Sequence, residues 1–168
     1  NKDFGRGFYL SANYDQAKDM AETKVEQLEY GSPIVLQYEV SEEDIEKLQV
    51  LRFDSYSEEW AKFILANRNN SSANPVHDFD VVIGPIADDR VGLQLWKYET
   101  HSIDLPTLVK NLRYMKGVTI QYFFGTDRAI NLLRKIIHHY FLLSHILYHL
   151  CVSLSSIFFM NHNSLCKI

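Results

Sequence analysis

The sequence predicts an α+β domain: a mixed β-sheet core with flanking helices. Three observations carry that prediction. Short runs rich in β-branched and aromatic residues recur between amphipathic stretches that open on Ser, Thr, Asp or Asn. Strands and helices are interspersed without the strict strand–helix–strand alternation of a parallel doubly wound sheet. The 168 residues, 46% hydrophobic and 23% charged, suffice for one domain with a real core but not for two comfortable ones.

Taken in order, residues 7–11 (GFYLS) form an apolar run after a glycine turn and read as a strand. Asn13 is placed to cap a helix running to about Leu28, with Ala17, Met20, Ala21 and Val25 as its apolar stripe. Gly31-Ser32-Pro33 breaks the chain before a strand of high β-propensity at 34–40. Ser41 with Asp44 resembles a capping box and opens a short acidic helix at 42–47, followed by an alternating strand at 48–53. Ser57 caps a helix at 58–67 whose Trp60, Phe63 and Ile64 face inward. A polar loop, 69–75, leads to a buried-type strand, 79–83, which Gly84-Pro85 is expected to stop. Helices follow at 88–99 and at 105–113, the second capped by Asp104 with Pro106 in its first turn. A strand at 118–124 and a helix from Asp127 to about Lys135, capped by Thr126, complete the series.

After Lys135 the character changes. No Asp or Glu occurs from Arg128 onward, and residues 136–159 form a mostly apolar run carrying His138, His139, His145 and His149. Its length is that of a membrane helix, while its histidines and serines speak against one. The favoured reading is a tail, 136–168, that does not belong to the domain; the alternative is membrane association through 136–159.

Composition narrows the function classes. A net charge of −4 argues against a nucleic-acid backbone as the main partner. Cys151 and Cys166 both lie in the tail, so the body has no thiol with which to build a disulfide framework or a Cys-based metal site. That usage suits a cytoplasmic protein. Asp78, Asp80, Asp88 and Asp89 bracket one strand, and such carboxylates cap helices more often than they bind a cation, so no metal site is assigned. His77 and His101 are isolated and read as surface or hydrogen-bonded histidines.

The segment Asp3-Phe4-Gly5-Arg6-Gly7-Phe8-Tyr9-Leu10-Ser11 says more. Two glycines one residue apart permit a close backbone approach or a positive φ, and an aromatic pair follows on a strand. Alternation puts Phe8 and Tyr9 on opposite faces, so that one fills the core and the other faces a cleft. A tyrosine exposed beside a glycine turn is a platform for a flat heteroaromatic ring.

This segment and the helix after it resemble the second motif of the ADP-ribosyltransferase superfamily. The chain is most similar to a bacterial domain-of-unknown-function family, three-nine-nine-zero, assigned to that superfamily. Four blocks carry the resemblance: DFGRGFYLS, SEEWAKFILANR, HDFDVVIGPIADD and QYFFGTDRAI, spread over residues 1–135. The resemblance implies an ADP-ribosyltransferase-like split sheet and NAD as substrate, held by a histidine, a tyrosine and a third polar residue on three strands. Tyr9 matches the tyrosine, with Gly5, Gly7 and Phe8 beside it as NAD-binding candidates. Gln121 falls where the third residue, usually glutamate, is expected, and Tyr9 and Gln121 are the catalytic candidates. The histidine would belong to a first strand preceding Asn1, and none in this sequence takes that role.

A glutamine brings no charge to steady the cation that develops as nicotinamide leaves, so weak turnover, without chain elongation, is expected. The implied activity is mono-ADP-ribosyl transfer to an unknown macromolecular acceptor, protein or nucleic acid, in a toxin-like or regulatory setting beside a small partner or antitoxin protein. The alternative is an NAD-binding or interaction module without turnover.

Overall fold

Two strands show how the chain divides its apolar residues. Along 81–85 and 120–124 successive side chains enter different cores: Val81, Ile83 and Phe124 on one face of the sheet, Val82 and Phe123 on the other. A strand buried on both faces needs a helical layer on each, and the remaining elements supply them.

The computed structural model describes residues 2–115 and 117–136, together with the backbone of 157–159 and 164–167. Its strands are β1 (Phe8–Ser11), β2 (Val35–Glu39), β3 (Val50–Arg52), β4 (Val81–Pro85), β5 (Ile120–Phe124), β6 (Arg134–Ile136), β7 (Ile157–Phe159) and β8 (Ser164–Lys167). Its helices are α1 (Tyr14–Leu28), α2 (Glu42–Ile45), α3 (Glu58–Arg68), α4 (Asp89–Glu99), α5 (Leu105–Arg113) and α6 (Asp127–Ile130). The fold is therefore mixed α+β. Seven strands form one mixed sheet in the order β3-β4-β5-β1-β8-β2-β7, with β3–β4 and β2–β7 parallel and the other pairs antiparallel.

Ala17 and Ala21 of α1, Ile45 of α2 and Ala129 of α6 cover one face around Leu10 and Phe124. On the other face α3, α4 and α5 bring Trp60, Ile64, Val91, Leu95, Leu108 and Leu112 against Tyr9, Val82 and Phe123. Fully burying side chains of this size contributes roughly 1.5–3 kcal/mol each, which is what holds the helical layers to the sheet.

Most helix starts follow the residues that predicted them, and of Asp88 and Asp89 the first is the cap. The side chains of Asn13, Ser57, Asp88, Asp104 and Thr126 accept hydrogen bonds from the backbone N–H of Gln16, Trp60, Val91, Thr107 and Ala129. Ser41 makes no such bond, so the capping box expected there is not formed.

Other expectations are corrected. Met20 is 37% exposed and lies outside the buried stripe of α1. Gly84-Pro85 does not stop the strand: β4 continues to Pro85, opposite Ile120. β3 ends its pairing at Ile83, so Pro85 sits where β4 is paired on one side only, which a residue without an N–H tolerates. The helix expected over 127–135 is a single turn, α6, followed by β6, whose Arg134 pairs with Glu39 of β2 at 3.1 Å.

Among the described residues no helix is long and apolar enough to cross a membrane. The readings made for the tail fall mostly on residues outside those described. Its described parts beyond Ile136 are β7 and β8, and the backbone of β8 lies between β1 and β2.

Candidate functional site

Residues 2–7 cross the face of the β1–β5 pair and are fastened there by side chains from distant parts of the chain. Gly5 turns with φ +98°, a conformation glycine adopts without strain, and its N–H donates to the Lys2 carbonyl at 3.2 Å. Gly7 is needed for space. A Cβ there would lie 2.7 Å from the Phe124 carbonyl oxygen and inside the Phe123 ring's contact distance.

Tyr9 sits beneath this turn and is 3% exposed. Its hydroxyl accepts from the Phe4 N–H at 2.9 Å and donates to the Gly5 carbonyl at 2.7 Å. Burial pushes its pKa well above the ordinary tyrosine value, against the lowering effect of the Phe4 N–H, so the phenol stays neutral and keeps its proton for Gly5. The Lys2 ammonium lies 4.7 Å from the centre of the Tyr9 ring. The expectation of a tyrosine exposed to a cleft is therefore corrected: Tyr9 is a core residue whose polar tip pins the turn. Phe8 points to the opposite core, edge-on to Tyr38 at 5.7 Å between ring centres.

Asp3 is the second fastening. Its carboxylate accepts from Arg68 Nε at 2.8 Å, from the Ala87 N–H at 3.2 Å and from Gln121 Nε2 at 3.2 Å. Gln121 is 4% exposed and faces Ser11 across β1 and Gly84 across β4. Arg68, read from the sequence as complementing the dipole at the end of α3, reaches both Asp3 and the Ala87 carbonyl. Asp3 and Arg68 carry no local signal for this contact, because the partners lie far apart in the chain.

Gly5 also borders a cleft of about 400 Å³ between the turn and the loop joining α3 to β4. Asn67, the last buried residue of α3, forms one wall, and His77, Phe79 and Phe123 another. His77 Nδ1 accepts from the Phe79 N–H at 3.2 Å, so Nε2 carries the proton and donates to the Phe4 carbonyl at 2.8 Å. This hydrogen-bonded histidine braces the glycine turn from the loop side. Gly7, Phe8, Tyr9 and Gln121 do not line the cleft; of the sequence-predicted residues, Gly5 does.

The carboxylates flanking β4 serve the fold. Asp80 is fully buried and receives Arg128, the Thr126 hydroxyl and the Gln49 N–H. Burial alone would raise its pKa, but the bonds from Arg128, Thr126 and Gln49 outweigh it and hold the carboxyl below the usual range. Asp88 caps α4. No group of three or more His, Cys, Asp or Glu suited to a metal ion occurs among the described residues.

The arrangement thus offers two neighbouring features: a largely buried polar face holding Tyr9 and Gln121, and an open cleft on the other side of the same turn. No curated protein and no solved structure matches the chain. Residues 1–135, from the Asp3 fastening through the Asp80 clasp to β6, match the family described as "Protein of unknown function (DUF3990)", and the chain belongs to that family.

Proposed function

We propose that this domain binds NAD as a substrate and transfers ADP-ribose from it to a macromolecular acceptor, with nicotinamide as the leaving group. The observation that carries the reading is the register of β1 and β5. It pairs Ser11 with Gln121 and Tyr9 with Phe123, bringing the tyrosine and glutamine of the resemblance onto one face of adjacent strands. Tyr9 organises the glycine turn through its hydroxyl. Gln121 has its Nε2 committed to the Asp3 side chain, which also holds Arg68, so its Oε1 remains as the acceptor for a ribose hydroxyl. That oxygen carries no net charge, so the stabilisation it lends an oxocarbenium-like transition state is weak, and turnover is slow.

The second reading is an NAD-binding or interaction module without turnover. It is favoured by the same contact: Gln121 is neutral and its amide is fixed by Asp3 rather than free to follow a reacting ribose.

The test is nicotinamide release from NAD, with binding followed by calorimetry. The protein is assayed as residues 1–168. Release that disappears in Gln121→Ala while binding persists supports the transferase. Binding without release selects the module. A folded protein that neither binds NAD nor releases nicotinamide overturns both.

A further inference from the structure

Three features of the cleft beside Gly5 are left unused by the packing around them. Asn67 is 3% exposed and donates through Nδ2 to the Phe63 carbonyl at 2.9 Å, yet its Oδ1 has no donor among the described residues. Every described side-chain N or O atom that is shut off from solvent has a partner, so this oxygen opens on the cleft that Asn67 lines. Gly5 keeps it uncovered, since a Cβ there would press to 3.1 Å from Oδ1. At the rim, Arg6 is exposed, the Lys2 ammonium lies over the Tyr9 ring, and neither makes an ion pair among the described residues. Against these two cations the lining carries one carboxylate, Asp78.

The complementary ligand is an anion that also carries an N–H or O–H donor some ångströms from its charge. We propose that this cleft is a nucleotide-binding site in which the phosphate meets Arg6 and Lys2 while the base or ribose donates to Asn67 Oδ1. The guanidinium fork of Arg6 matches a phosphate's paired oxygens. Phe79 and Phe123 supply apolar wall, and a cleft of about 400 Å³ is of a size that holds a mononucleotide. The inference deepens the reading above by assigning the phosphate-bearing part of the substrate to the cleft rather than to the Tyr9–Gln121 face. It rests on that reading only for the identity of the nucleotide as part of NAD.

Calorimetric titration of the full chain with AMP, ADP-ribose, NAD and adenosine tests it, using Arg6→Ala and Asn67→Ala. Arg6 is exposed, so its variant leaves the fold intact even where Asn67→Ala does not. AMP and ADP-ribose are expected to bind, with affinity falling about tenfold in each variant, the loss of one hydrogen bond to a charged or buried partner. Adenosine is expected to respond to Asn67 and not to Arg6. Failure of AMP and ADP-ribose to bind folded protein, or binding indifferent to Arg6, overturns the proposal. NAD binding that is lost in Gln121→Ala but unchanged in Arg6→Ala also overturns it while leaving the NAD reading intact. AMP binding that depends on Arg6, in a protein that does not bind NAD, upholds the cleft and removes the NAD reading.

Discussion

Asp3 and Gln121 meet at 3.2 Å, carboxylate to amide, although they stand near opposite ends of the family-matched region. The contact places residues 2–5 over the β1–β5 face, and the same carboxylate is held by Arg68 and by the Ala87 N–H. One side chain thereby joins the turn, the end of α3, the start of α4 and the centre of the sheet. Removing it tests how far the glycine turn depends on that junction.

Asp3→Ala is expected to lower unfolding free energy by about 2–3 kcal/mol, since it strands the Gln121 amide, the Ala87 N–H and a partly buried guanidinium. Urea denaturation measures this. A change below about 0.5 kcal/mol, the size of an ordinary surface substitution, would show the junction to be idle.

Tyr9→Phe keeps the ring and deletes the hydroxyl that joins Phe4 to Gly5. The buried Phe4 N–H then has no acceptor, at a cost of about 1–3 kcal/mol. Hydrogen exchange should show the Phe4 amide losing protection well before the strand amides of β4 and β5. Unaltered protection at Phe4 would contradict the assigned role.

Asp80 sets an acid limit on stability. Its folded-state pKa is depressed, so its contribution is present above the unfolded carboxylate value, about 3.9, and is lost as pH falls through the lower folded value. Asp80→Asn should therefore be less stable at neutral pH, by about 1–3 kcal/mol for the weakened hydrogen bonds to a buried carboxylate, and flatter below about pH 4. Denaturation curves across a pH series give both slopes, and parallel slopes for the two proteins would refute the linkage.

Gly7→Ala tests space rather than backbone freedom, because the added Cβ meets the Phe123 ring and the Phe124 carbonyl. Overpacking of this kind costs about 1–3 kcal/mol. Gly92→Ala, where the nearest atom is an Arg68 guanidinium nitrogen at 3.7 Å, serves as the permissive control in thermal unfolding.

Gln121→Glu restores the charge that the resemblance expects but sets it against the Asp3 carboxylate. Like charges at that distance raise a carboxylate's pKa, so the variant should be destabilised at neutral pH and recover as pH falls and one proton is shared. A pH series of unfolding curves reads this directly. If the variant matches wild type at neutral pH, the two side chains are not in contact.

Much of the architecture was legible locally. Asn13, Ser57, Asp104 and Thr126 each cap the helix they announced, and of the acidic pair Asp88 and Asp89 it is Asp88 that caps α4, because a short polar side chain satisfies the N–H groups only a few residues ahead of it. β4 and β5 were visible as apolar runs for the same reason. The stretch after Thr126 misled: Ile130, Leu132 and Leu133 have helical spacing but pack around the core after a single turn, and β6 follows. Pro85 misled too, since the missing pairing on its β3 side cannot be seen until the strand order is known.

The sequence by itself marked most of the helices with their caps, the central strands and the glycine turn at 5–7, and the resemblance added the candidate pair Tyr9 and Gln121. Tertiary structure decided what those residues face. Strand alternation says that Phe8 and Tyr9 point to opposite sides, but only the packing of α3, α4 and α5 says that Tyr9's side is closed. Likewise Asp3 finds Gln121, and Asn67 comes to wall a cleft with His77, through contacts between residues remote in the chain. Caps and periodicity are written within one or two turns of backbone. Burial and side-chain partnership depend on which distant segment the sheet order brings alongside.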